Sequence, residues 1–185
     1  METALLTGLG LAAPAGLNAY IPLLVLALAD RLTDQVSLAA PFDALSSTPA
    51  IIVLLLLLTI EIVVDKVPGA DHVNDLVQTI IRPAAGAILM LAATTGFVDL
   101  SPVLMAVLGI VAAGAIHGAQ ATARPVMTVG TAGVFQPLGS LGEDMLATVT
   151  SVLAIFVPVL AVLGILAMGL LAFLGVRKAR RALAG

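Results

Sequence analysis

Few polar side chains lie inside or beside the apolar runs of this chain, so those present carry whatever chemistry it does. Glu61 and Asp65 are four residues apart and share a helix face. Asp71 and Asp75 repeat that spacing beyond the turn Val67-Pro68-Gly69, with His72 and Asn74 among them. Gln78 and Arg82 continue the stripe begun by Asp75, and His117, Gln120 and Arg124 form a stripe of the same kind further on. Both arginines sit in a Q-x-x-x-R-P frame, and the proline after each is expected to end or kink a helix and free backbone carbonyls. Asn18 and Tyr20 lie in the first apolar run, and Glu143 and Asp144 follow the second frame. The guanidinium groups suit an anionic group or neighbouring acids; the carboxylates and histidines suit a proton relay or a coupling cation. Charge at membrane depth is costly and usually faces a partner or a water-filled cavity. Two plainer readings stand beside this one. The ion pairs fix helix packing, or Glu61–Asp75 is a solvated face at the membrane surface.

The oxygen ligands around 71–75 could hold a hard cation, but no spacing matches a metal motif. Neither a nucleophile elbow nor a P-loop nor a dinucleotide fingerprint is present. No catalytic residue and no cofactor are therefore read from the chain, and the identity of any metal stays open.

Composition sets the solvent in which these groups must act. Of 185 residues, 61% are hydrophobic and 10% charged, and mean hydropathy is +1.18. A soluble domain is roughly half apolar and a quarter charged, and could not cover such a surplus with polar surface. The bilayer is the expected partner. A net charge of −3 gives no basic footprint for nucleic acid. With no cysteine, disulfides, thiol catalysis and Cys-ligated metals are excluded. Glu2 occupies the place of a basic n-region, so the first apolar segment is expected to stay in the mature protein.

Residues 3–29 exceed the ~20 needed to span, but Pro14, Gly16, Asn18 and Pro22 break them. Asp30–Ala44 reads as an exposed loop. Thr48 is the expected N-cap of a helix with Pro49 at its first position, running through the aliphatic Ile51–Ile60 to Glu61. A helix restarting at Asp71–Asp75 runs past Arg82-Pro83 to about Gly96, and Ser101-Pro102 opens another, to about Ala123. Residues 125–142 are uncharged up to Gly142 but hold Gly130, Gly133, Pro137, Gly139 and Gly142, and read as re-entrant or half-membrane backbone. Residues near Asn18 and around Gly130–Pro137 are expected in non-helical backbone that meets at membrane depth. Met145–Val176 overspans a ~30 Å core and contains Pro158. The stretch Gly114-Ala-Ile-His117-Gly118 permits close helix approach. The fold class is an all-α membrane protein: one transmembrane domain over 1–185, a polytopic bundle of about five to six spans with broken or re-entrant segments. The two Q-x-x-x-R-P frames hint at an internal repeat. The basic cluster Arg177–Arg181 is expected on the cytoplasmic side; counting back through five spans then puts Arg31 in the cytoplasm and the Asp71–Asp75 turn outside.

Three segments resemble a family of bacterial integral membrane proteins known as domain of unknown function 4126. They are Gly16-Leu-Asn-Ala-Tyr-Ile-Pro-Leu23, residues 61–86 (EIVVDKVPGADHVNDLVQTIIRPAAG) and His117-Gly-Ala-Gln-Ala-Thr-Ala-Arg-Pro125. The resemblance implies a small compact helical membrane protein and brings no substrate or reaction. It also implies that Asn18, Tyr20, Asp65, Asp71, His72, Asn74, Asp75, Arg82, His117 and Arg124 belong to motifs of the family.

The first functional expectation is a small transporter or channel for an ion or a small solute, an anion included. The alternatives are a membrane enzyme acting on a lipid or polyprenyl phosphate, and a non-catalytic assembly subunit. Assembly as a homo-oligomer is left open.

Overall fold

A computed structural model describes residues 2–64, 70–131, 136–167 and 169–170, with residues 70–75, 123–131 and 136–138 described by their backbone alone. The helices are α1 (Glu2–Ala12), α2 (Tyr20–Leu32), α3 (Thr48–Val64), α4 (Ala70–Thr94), α5 (Pro102–Thr131), α6 (Gln136–Phe156) and α7 (Pro158–Ala167). Short 3-10 turns occupy Pro14–Gly16 and Phe42–Ser46. No strand occurs among the described residues. Leu76–Thr94, Pro102–Thr122 and Gly139–Phe156 are long and apolar enough to cross a membrane; α3 and α7 are shorter apolar helices. The chain is an all-α membrane protein.

Local chemistry sets most of the helix ends. Ser47, one residue earlier than expected, caps α3: its Oγ accepts from the Ala50 N–H at 3.4 Å. The Thr48 hydroxyl instead accepts from Arg31 at 2.9 Å and ties the end of α2 to the start of α3. At the end of α4 the Thr94 and Thr95 hydroxyls donate back to the carbonyls of Met90 and Leu91 at 2.7 and 2.8 Å. Gly96, at φ 83°, then reverses the chain in a conformation that costs glycine no Cβ clash. The long run from Met145 is broken, with α6 ending at Phe156 and Pro158 opening α7.

The first apolar run is two half-length α-helices around a buried break that holds the 3-10 turn Pro14–Gly16. Eleven and thirteen residues give about 16 and 20 Å at 1.5 Å per residue. Asn18 opens the second: its Oδ1 accepts from the N–H groups of Tyr20 and Ile21 at 3.0 and 3.1 Å. α2 runs back beside α1, because Thr3, Ala4 and Thr7 line one 350 Å³ cavity together with Leu26 and Gln35–Ser37. The run therefore enters and leaves at one end of the bundle. Arg31 and the 71–75 turn lie at opposite ends of α3, since Arg31 bonds Thr48 at its start and α4 begins beyond its far end.

This pair sits in the middle of the molecule. Leu11, Ala15, Ala19, Leu26, Leu89, Ala113 and Ala154 make the apolar core where it meets α4, α5 and α6. α4 and α5 lie antiparallel and nearly touch: a Cβ on Gly109 would stand 2.2 Å from the Gly86 carbonyl oxygen, and one on Gly86 2.4 Å from that of Gly109. The expected crossing at Gly114 and Gly118 is not where the helices meet. Gly114 faces Pro83 at 4.0 Å and Gly118 has nothing within 4 Å.

The expected break at 125–142 is also corrected. α5 continues through Pro125 to Thr131, α6 begins at Gln136, and only 132–135 lie outside the described residues. Pro83 likewise sits inside α4 without ending it. Away from water, every backbone group needs an internal partner, so helix persists through proline and glycine that would end it in a soluble protein.

Candidate functional site

Five elements bring their polar residues to one level. Glu61 on α3, Arg82 on α4, His117 on α5 and Glu143 on α6 each lie about 12–15 residues from the helix end that shares the Arg31 side of the bundle. At 1.5 Å per residue this is about 18–22 Å of depth. The break between α1 and α2, which holds Gly16 and Asn18, reaches the same level.

Arg82 is the hub and is 1% exposed. One terminal nitrogen pairs with Glu61 Oε1 at 3.3 Å, and Glu61 is 2% exposed. The other donates to the Gly16 carbonyl at 3.2 Å, meets His117 Nδ1 at 3.1 Å, and bonds Gln120 Oε1. Gln120 Nε2 in turn donates to Glu143 Oε2. A guanidinium only donates, so an Nδ1 bonded to it is an acceptor, and the other ring nitrogen, Nε2, lies 3.1 Å from Thr79 Oγ1. The amide of Gln120 is oriented in the same way, oxygen toward the cation and nitrogen toward the anion. Beside it, Asn18 Nδ2 donates to Asp144 Oδ1 at 3.0 Å. Tyr20, buried beside Asn18, gives its backbone N–H to Asn18 Oδ1.

The backbone is built for this contact. A Cβ on Gly16 would lie 2.3 Å from the Ala113 carbonyl oxygen and 2.9 Å from the His117 nitrogen. Only glycine lets the chain press against α5 and aim its carbonyl at Arg82. On α5 the buried stripe Met105, Gly109, Ala113, His117 and Gln120 turns from apolar to polar at this level.

Arg82 Nε and Gln78 Oε1 are buried with no hydrogen-bond partner among the described residues. Each such group costs ~1–3 kcal/mol unless something meets it. Outward from the network, Gln120 and Glu143 line a 260 Å³ cleft with Leu17, Ile116, Leu146 and Ile165.

The structure thus joins Asn18, Tyr20, Glu61, Gln78, Arg82, His117, Gln120, Glu143 and Asp144. Asp65 and the side chains of Asp71, His72, Asn74, Asp75 and Arg124 lie outside the described residues. Among the described residues the acid against Arg82 is Glu61, twenty-one positions away. Sequence reasoning missed Gly16 and Thr79. Gly16 was visible as a glycine in the broken stretch beside Asn18, whereas nothing marks Thr79. No group of three or more His, Cys, Asp or Glu positioned for a metal occurs among the described residues.

Fold and site together define a helical membrane protein with an ion-paired centre buried between its helices. It belongs to the family described as domain of unknown function (DUF4126), which matches residues 5–178. Neither a curated protein nor a solved structure matches the chain.

Proposed function

We propose that this protein is a small transporter or channel that moves an ion or small solute through the polar centre. The observation that carries this reading is the buried chain Glu61–Arg82–Gln120–Glu143, which leads from the interior to a cleft beside a broken pair of helices. A network made only for packing would close on itself. Among the described residues this one leaves Arg82 Nε and Gln78 Oε1 unmet in the interior and reaches a half-buried carboxylate that lines the cleft. Ionisable groups inside a membrane mark pathways when they face a cavity. Helices broken at the midplane recur in transporter binding sites. α1 and α2 act here as a re-entrant hairpin that delivers Gly16 and Asn18 to mid-depth. Arg82 serves as fixed counter-charge, and Glu143 meets the moving species. The protein crosses the cell membrane several times, with the Arg177–Arg181 cluster on the cytoplasmic side by the positive-inside bias.

The test is ion flux through purified protein in liposomes. Wild type should exceed protein-free liposomes, and Glu143→Gln should lose most of the flux while keeping its melting temperature. Equal flux in protein-containing and protein-free liposomes, over protons, alkali cations and organic ions, would remove the transport reading.

A further inference from the structure

The cavity between α1 and α2 lies at the Arg31 end of the bundle, away from the polar centre. Its volume of 350 Å³ is within the ~300–1,000 Å³ range of small-molecule pockets. The floor is apolar. Leu26 of α2, Ala92 and Ala93 of α4 and Ile155 of α6 form it, and all are buried. Further inward the helices stay closed toward Arg82, since Leu11, Leu23, Leu89 and Met90 are buried as well. The cavity is therefore no extension of the route through Glu143, and what it accepts is a separate matter from transport.

The rim is polar. Thr3 and Thr7, one turn apart on α1, and Gln35 and Ser37, from the loop after α2, bring hydroxyl and amide groups to it. Among the described residues these side chains make no hydrogen bond with the protein. Thr59, Thr94 and Thr150, by contrast, turn their hydroxyls back onto a carbonyl one turn earlier, the usual recourse of such a group on a helix. Thr7 is half-buried and keeps its hydroxyl for the cavity. The loop wall is fixed in advance. The Asp30 carboxylate accepts from the Leu38 N–H at 2.7 Å and from the Ser46 hydroxyl, and Leu38 is buried in the core. A wall already in place adds little ordering cost on binding.

No charged side chain occurs among the described residues that line the cavity. A charged head would leave water for a wall without a counter-charge, whereas a hydroxyl or amide would exchange its water for the free partners at the rim. We propose that this cavity binds an uncharged amphiphile, its apolar body on Leu26, Ala93 and Ile155 and its hydroxyl or amide head among Thr7, Gln35 and Ser37.

Alcohols give the test, because the head can be changed at constant chain and the chain at constant head. The probe is 1-octanol carrying a diazirine, photolysed with the purified full-length protein in phospholipid nanodiscs, with the adducts located by mass spectrometry. Adducts should fall on the lining of the cavity and saturate. 1-Octanol should compete about tenfold or more better than octanoate or octylammonium at neutral pH, one unit of log affinity being the smallest clear preference. Competition should strengthen from 1-hexanol upward and then fail once the chain outgrows the closed floor, whereas partition into the bilayer strengthens with every methylene. Thr7→Val keeps the shape, removes the hydroxyl and should weaken labelling about threefold, the effect of one hydrogen bond. Ala4→Trp, which fills the cavity from a half-buried position, should abolish it. Circular dichroism melting of each variant checks that the fold stands. Adducts spread over the outer face of α3, competition without a chain-length limit, equal competition by the charged analogues, or labelling unchanged in folded Thr7→Val or Ala4→Trp would each overturn the inference.

Discussion

α3 and the α1–α2 pair are both strongly apolar, yet they occupy opposite places. α3 is an almost unbroken aliphatic helix, and along it only Leu54 and Glu61 are buried. Ile52, Val53, Leu56, Ile60 and Val63 face outward. The α1–α2 pair carries two prolines, several glycines and an asparagine, and residues 11–16 and 18–23 are buried throughout. In water the ranking would be reversed. In lipid, hydrocarbon is no drive to the interior, so small residues that allow close approach and polar residues that need partners go inside. The inner face of α3 follows the same rule, since its one charged residue before the described end turns inward to Arg82.

Substitutions at paired inner and outer positions test this contrast. The largest effect is expected at the hub. Arg82→Ala leaves Glu61 buried without its cation and should cost ~3–5 kcal/mol, read as a fall in the unfolding midpoint in mild detergent titrated with denaturant. Arg82→Lys should recover little, because one ammonium cannot serve four acceptors in a plane. Next come the contact glycines. Gly109→Ala drives a methyl into the Gly86 carbonyl and Gly16→Ala one into the Ala113 carbonyl. Each should cost ~1–3 kcal/mol, whereas Gly118→Ala, with open space around it, should be neutral or slightly stabilising by helix propensity. Asn18→Ala removes the cap of α2 and one hydrogen bond to Asp144, for a loss of ~0.5–2 kcal/mol. The smallest effect belongs to the outer face of α3. Leu56→Ala should stay within ~0.5 kcal/mol, and a loss as large as that of Gly109→Ala would break the inside–outside contrast.

The sequence made the solvent plain and located the polar centre, because charges among aliphatic runs are few and each must be accounted for. Arg82, Gln78, His117 and Gln120 were legible from helical spacing alone. Their partner was not. Glu61 and Arg82 meet across α3 and α4, and nothing in spacing separates Glu61 from Asp65 or Asp75 as the acid that meets the guanidinium. Helix breakers misled in one place and informed in another. Pro125 and Gly130 are absorbed into α5, while Pro14, Gly16 and Asn18 break the first run. The difference is whether the freed groups find partners: Gly16 and Asn18 find Arg82, Asp144 and the N–H groups of α2. Such partners come from other helices and cannot be seen along one. The Gly114–Gly118 spacing matched a packing motif, yet the crossing formed at Gly86 and Gly109, one glycine from each helix, which no single-helix pattern records.

The central claim is that Glu143 stands on a wetted route inside the bundle while the aliphatic face of α3 stands in lipid. The native chain has no cysteine, so single cysteines report without background. Glu143→Cys and Leu56→Cys in liposomes would be treated with a charged, membrane-impermeant methanethiosulfonate. The account predicts modification at position 143 and none at position 56. A cysteine at 143 that stays unmodified in folded protein, or one at 56 that reacts as fast, would contradict it.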